Sequence, residues 1–126
     1  MAVVLDTHAF LWWTQNDVRL SARARKAIAN SECYLSLASC WEAAIKVSLG
    51  KLRLDRPVAQ FFTEQLLACG ISLLPIEFRH VVRVAVLPFH HRDPFRRLLT
   101  AQALEEGLTI ISADAAFDRY GVKRTW

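Results

Sequence analysis

At 126 residues the chain is one domain's worth, and at that size about two-thirds of the surface an unfolded chain exposes can be buried. With 53% hydrophobic residues it is a globular protein and not a disordered tail, and no apolar run approaches the roughly 20 residues a bilayer-spanning helix needs. A formal net charge of +4 suits an anionic partner without naming one.

Val3-Val4-Leu5 is a short, β-branched-rich run that reads as a buried strand ending at Asp6-Thr7-His8. A helix follows over Ala9 to Thr14, and a basic one capped by Ser21 runs through Ala29. Cys33-Tyr34-Leu35 is the second strand. Ser39, with Glu42 three residues later, has the form of a capping box opening a helix that Gly50 ends. After Pro57, the residues Val58, Phe61, Phe62, Leu66 and Cys69 fall on one helical face, and Gly70 stops that helix. Ile71 to Leu74 is a third strand closed by Pro75, and Glu77 to Val86 is a short helix. Asp93-Pro94 starts a helix that runs to Gly107. Leu108 to Ser112 is a strand, Ala115 to Tyr120 a short helix, and Val122 to Thr125 a last strand. Short apolar strands alternating with helices predict an α/β domain over 1–126, with a mostly parallel sheet covered by helices on both faces.

Cys33, Cys40 and Cys69 are odd in number and have no zinc-site spacing, so they read as reduced thiols of a cytoplasmic protein. The N-terminus carries no basic leader and an acid interrupts its apolar run, which does not read as a signal peptide.

Ligands of parallel sheets bind beyond the carboxyl ends of the strands. Asp6 lies at the end of the first strand and Asp114 just past the Leu108–Ser112 strand. Each acid also has a structural use. Asp6, Asp93 and Asp114 can each cap the helix that follows, and Glu42 can belong to a capping box or pair with Lys46 one turn on. The neighbours Trp41, Ala44 and Ile45 suggest that the Glu42 helix is largely buried, where a carboxylate needs a partner or a metal. Several carboxylates at one rim are what a magnesium ion uses, together with water and phosphate oxygens, to activate a water against a phosphodiester. No Gly-rich phosphate loop or nucleophile elbow is present. Asp6-Thr7-His8 lacks the second acid of an Asp-x-Asp phosphatase.

The stretches Leu5-Asp6-Thr7-His8-Ala9-Phe10-Leu11-Trp12-Trp13, Ser39-Cys40-Trp41-Glu42-Ala43-Ala44-Ile45-Lys46 and His91-Arg92-Asp93-Pro94-Phe95 resemble VapC-type PIN domains. So does the ending from Ser112-Ala113-Asp114 to Trp126. The resemblance runs in order along essentially the whole chain. It implies an α/β/α sandwich, RNA cleavage dependent on Mg2+ or Mn2+, a small antitoxin that inhibits the toxin, and a homodimer. It assigns Asp6, Glu42 and Asp114 to the metal. After Asp93-Pro94-Phe95 the family usually has a further active-site Asp, and here that position is Arg96, followed by Arg97. An arginine in the first turn opposes the helix dipole. Two readings stand: the guanidinium takes the place of a cation, or Asp93 supplies the missing carboxylate while Arg96 grips RNA phosphate. His91, Arg92, Arg97, Lys123 and Arg124 are further candidate contacts to substrate. The expectation is a toxin ribonuclease of a toxin–antitoxin pair, with a weakened or inert RNA- or antitoxin-binding PIN domain as the alternative.

Overall fold

A computed structural model describes residues 1–126. Five parallel strands form the sheet: β1 (Ala2–Leu5), β2 (Glu32–Ser36), β3 (Ser72–Leu74), β4 (Thr109–Ile111) and β5 (Arg124–Thr125), in the order β3-β2-β1-β4-β5. The six helices are α1 (Thr7–Thr14), α2 (Ala22–Ala29), α3 (Leu37–Ser48), α4 (Val58–Cys69), α5 (Phe78–Val86) and α6 (Pro94–Glu106). A short 3-10 turn at Ala115–Tyr120 precedes β5. The predicted α/β architecture is thus observed, and its sheet is wholly parallel.

Side-chain alternation along β1 builds two cores. Val3 and Leu5 face a cluster with Phe10, Leu20, Ile28, Phe61 and Phe62. Val4 faces the other side, with Leu99, Ala103, Ile110 and Phe117. Phe10 lies between Phe62, stacked at 5.9 Å, and Phe61, edge-on at 6.5 Å. Each such ring stabilises the fold by about 1.5–3 kcal/mol through area removed from water. Helix α5 packs on α6 rather than on the sheet. Its buried His80 accepts from the Glu77 N–H at 3.0 Å and lies 3.0 Å from a Glu106 oxygen.

Two local expectations are corrected. Ser36, not Ser39, caps α3: its hydroxyl accepts from the Ala38 N–H at 3.0 Å. The helix therefore begins straight from β2, and Ser39 and Glu42 lie inside it, so the capping box does not form. Trp41 is 59% exposed, so α3 is buried along one side only, through Ala38, Ser39 and Ala43. Trp41 instead meets Phe95 edge-on at 5.2 Å, which ties α3 to the start of α6.

Candidate active site

The strand order places β1 and β4 side by side while their connections leave in opposite directions, to β2 on one side and β5 on the other. This is the switch point at which parallel sheets open a crevice beyond their carboxyl ends. In register, Leu5 pairs with Leu35 and with Ile111. The next residues, Asp6, Ser36 and Ser112, therefore stand abreast on the crevice floor. The buried Ser36 hydroxyl donates to Gln102 Oε1 at 2.5 Å, and the Gln102 amide donates to the Pro75 carbonyl at 3.2 Å, which locks α6 over the strand ends.

Three aspartates enter this region as helix caps. Asp6 Oδ1 accepts from the Ala9 N–H at 2.8 Å, Asp93 Oδ1 from the Phe95 N–H at 2.9 Å, and Asp114 Oδ1 from the Ala116 N–H at 2.9 Å. The capping and site readings of these residues are thus compatible. Glu42 reaches in from α3. Its Oε1 accepts from the Thr7 hydroxyl at 2.6 Å, and Lys46 one turn on lies 3.5 Å from Oε2. Asp6, Glu42 and Asp93 line one cleft of about 370 Å3 together with Thr7, Lys46 and Arg96. Burial is the largest influence on Asp6 and raises its pKa above the usual carboxylate value, against hydrogen bonds from Ser112 and Ala9 and the nearby charges of His8 and Arg96.

Arg96 decides how the acids are occupied. Its Nη1 donates to Asp93 Oδ2 at 3.0 Å, and its Nε lies 2.5 Å from Asp114 Oδ2. The guanidinium thus bridges the two acids across the cleft edge. No three carboxylate, histidine or cysteine groups converge at metal-binding range.

The other candidate contacts lie elsewhere. Arg97 is buried and donates to the carbonyls of Pro88, at 2.9 Å, and Val84, at 3.0 Å, so it braces the loop before α6 and does not reach the cleft. His91 Nδ1 accepts from the Asp93 N–H at 2.9 Å, a positioning role. Arg92 is exposed, beside Phe89 and outside the cleft. Arg124 is engaged by Asp118 at 2.9 Å, and Lys123 is exposed. Thr7, Lys46 and Lys51 also line the cleft and Ser112 stands on its floor; the adjacency of Thr7 to Asp6 and the one-turn spacing of Lys46 from Glu42 are the signals the sequence offers for them.

The PIN domain model matches residues 3–123. The chain belongs to the PIN domain family. A PIN relative, Ribonuclease VapC22 of Mycobacterium tuberculosis (strain ATCC 25618 / H37Rv), is 30% identical over 114 residues, covering 89% of this chain and 86% of that protein. The PIN fold also aligns with the crystal structure of VapBC2 from Rickettsia felis bound to a DNA fragment from their promoter. There the TM-score is 0.73 at 13% identity, with 98% of this chain and 97% of that one covered. VapBC-1 from nontypeable Haemophilus influenzae (TM-score 0.66, 13% identity, 98% and 96% covered) and FitAcB from Neisseria gonorrhoeae (0.59, 16%, 98% and 96%) share the fold.

Proposed function

We propose that this PIN domain is a ribonuclease toxin of the VapC kind, cytoplasmic, held in check by an antitoxin and acting as a homodimer. The observation that carries the catalytic reading is that Asp6, Glu42 and Asp93 line one cleft at the sheet's switch point. The relationship to Ribonuclease VapC22 supports RNA as the substrate class, and likeness to VapBC complexes supports the antitoxin. No helix is long and apolar enough to cross a membrane.

The donor chemistry fits a hard divalent cation in one half of the cleft. Asp6 and Glu42 are carboxylates opening on the same space, and Mg2+ or Mn2+ commonly takes one or two such groups. Once bound there, the ion supplies activation of water and charge stabilisation at phosphorus. The chain's own residues do the rest. Thr7 fixes the Glu42 carboxylate, the Ala9 amide fixes Asp6, and Lys46 offers an ammonium to a phosphate oxygen. Asp114, expected among the ligands, is paired with Arg96 instead.

That pairing favours a second reading, in which the domain binds RNA or antitoxin and cuts slowly or not at all. Incubating purified protein with labelled RNA, with and without Mn2+, separates the two. Mn2+-dependent cleavage that disappears in Asp6→Asn supports the enzyme. Cleavage persisting in Asp6→Asn assigns it to a contaminant, and no cleavage in the native chain selects the binding protein.

A further inference from the structure

A second groove, of about 430 Å3, opens beside the acid cleft and shares Thr7, His8, Lys46 and Lys51 with it before continuing past Trp12 and Arg19. No carboxylate lines this continuation. Lys51 is exposed and pairs with no acid, and Lys46 stands 3.5 Å from Glu42 at the junction of the two spaces. His8 is exposed at the mouth, its ring 5.6 Å from that of Trp12 and tilted by 35°. Trp12 is backed by Trp126 at 5.7 Å and carries the Arg19 guanidinium 5.0 Å over its ring.

Ammonium groups along a track, with flat rings beside them, are the recognition chemistry of single-stranded nucleic acid: charge follows the backbone and rings stack the bases. We propose that this groove carries the nucleotide adjacent to the phosphate held in the acid cleft. Its phosphate meets Lys51, next to the Lys46 that faces the cleft phosphate, and its base stacks on the His8 ring, which Trp12 supports from behind. The proposal rests on RNA being the substrate. It adds that the strand must be unpaired at this nucleotide, because a base inside a duplex presents no free face to His8. Leu11 and Leu52 also line the groove, and a protein segment is the occupant the test below distinguishes from RNA.

The test is fluorescence anisotropy with a labelled oligouridylate RNA of about ten nucleotides, in EDTA so that binding is read without cleavage. Lys51→Ala should weaken binding several-fold and lower the slope of log affinity against log salt by about 0.7, the signature of one lost phosphate contact on a single strand. His8→Ala should weaken it about five-fold while leaving the salt slope unchanged, and His8→Phe should restore it, because stacking and not charge is at stake. Both side chains are exposed, so the fold tolerates these changes. Native affinity in both alanine variants would overturn the groove assignment while leaving the ribonuclease reading in place. A native chain without affinity for the RNA would overturn both. Unchanged RNA affinity with a weakened complex with the purified cognate antitoxin would give the groove to the protein partner and likewise overturn the proposal.

Discussion

Replacing Arg96 with alanine removes the guanidinium that bridges Asp93 and Asp114. The effect on folding is small. The side chain is 37% exposed, and pairs in such settings contribute about 0.2–1 kcal/mol each. Removing a positive charge from the first turn of α6 returns about 0.3–1 kcal/mol. The net change in unfolding free energy is therefore within about 2 kcal/mol. Cation binding responds more strongly. A doubly charged ion roughly 6 Å from a guanidinium is repelled by about 1.4 kcal/mol even at the dielectric constant of water, which is tenfold in affinity. The two released carboxylates add to this. Arg96→Ala should bind Mn2+ at least about tenfold more tightly than the native chain by isothermal titration calorimetry. Arg96→Asp, which supplies the acid usual in the family, should gain more and should cleave RNA faster. Unchanged or weaker Mn2+ binding in Arg96→Ala would refute the reasoning. Loss of a cleavage activity that the native chain possesses would assign Arg96 to the substrate instead.

Asp6→Asn keeps the cap of α1, because asparagine accepts from an N–H as well as aspartate does, but removes a carboxylate whose burial disfavours its charged form. The folded pKa of Asp6 lies above the unfolded one, so its contribution is favourable below about pH 4 and is lost as pH rises through the folded value. Thermal melts should show Asp6→Asn more stable than the native chain at pH 7, with the difference closing toward about pH 4. Thr7→Val deletes the donor to Glu42; RNA cleavage should fall about tenfold, as loss of a hydrogen bond to a charged group predicts, with the circular dichroism spectrum retained. Gly107 ends α6 at φ 66°, where an added Cβ meets nothing within 4 Å, so Gly107→Ala costs only backbone strain. Chemical denaturation should register a loss of about 1 kcal/mol. Cys40, whose pKa burial pushes up to about 11, should react with iodoacetamide at pH 8 more slowly than a free thiol.

The parallel sheet was legible because its strands are short apolar runs and its helices carry punctuation at Ser21, Gly70, Asp93 and Gly107. The start of α3 was not, since the Ser39–Glu42 spacing imitates a capping box and only the direct passage from β2 into the helix selects Ser36. Asp6 and Asp114 were placed at the rim by their position after strands. Their shared surroundings depend on the register of Leu5 with Ile111, which no local pattern encodes. Arg96 was visible as an anomaly of helix electrostatics, yet its double ion pair is a tertiary fact. Arg97 shows the opposite error. Beside Arg96 in sequence it looked like a second surface cation, but a helix turns about 100° per residue, and that rotation buries it against the carbonyls of Val84 and Pro88.

Each of the three aspartates surrenders one oxygen to a main-chain amide at the head of its own helix. On Asp93 and Asp114 the other oxygen meets Arg96, so of the three only Asp6 keeps an oxygen clear of both its helix amide and the guanidinium. Ions that tolerate one-toothed ligands and keep their own water, as magnesium does, are suited to such a rim. Calcium, larger and at ease with carboxylates that wrap it from both sides, finds little there to wrap it. In the proposed enzyme, the way the helices begin would therefore favour an ion of the first kind.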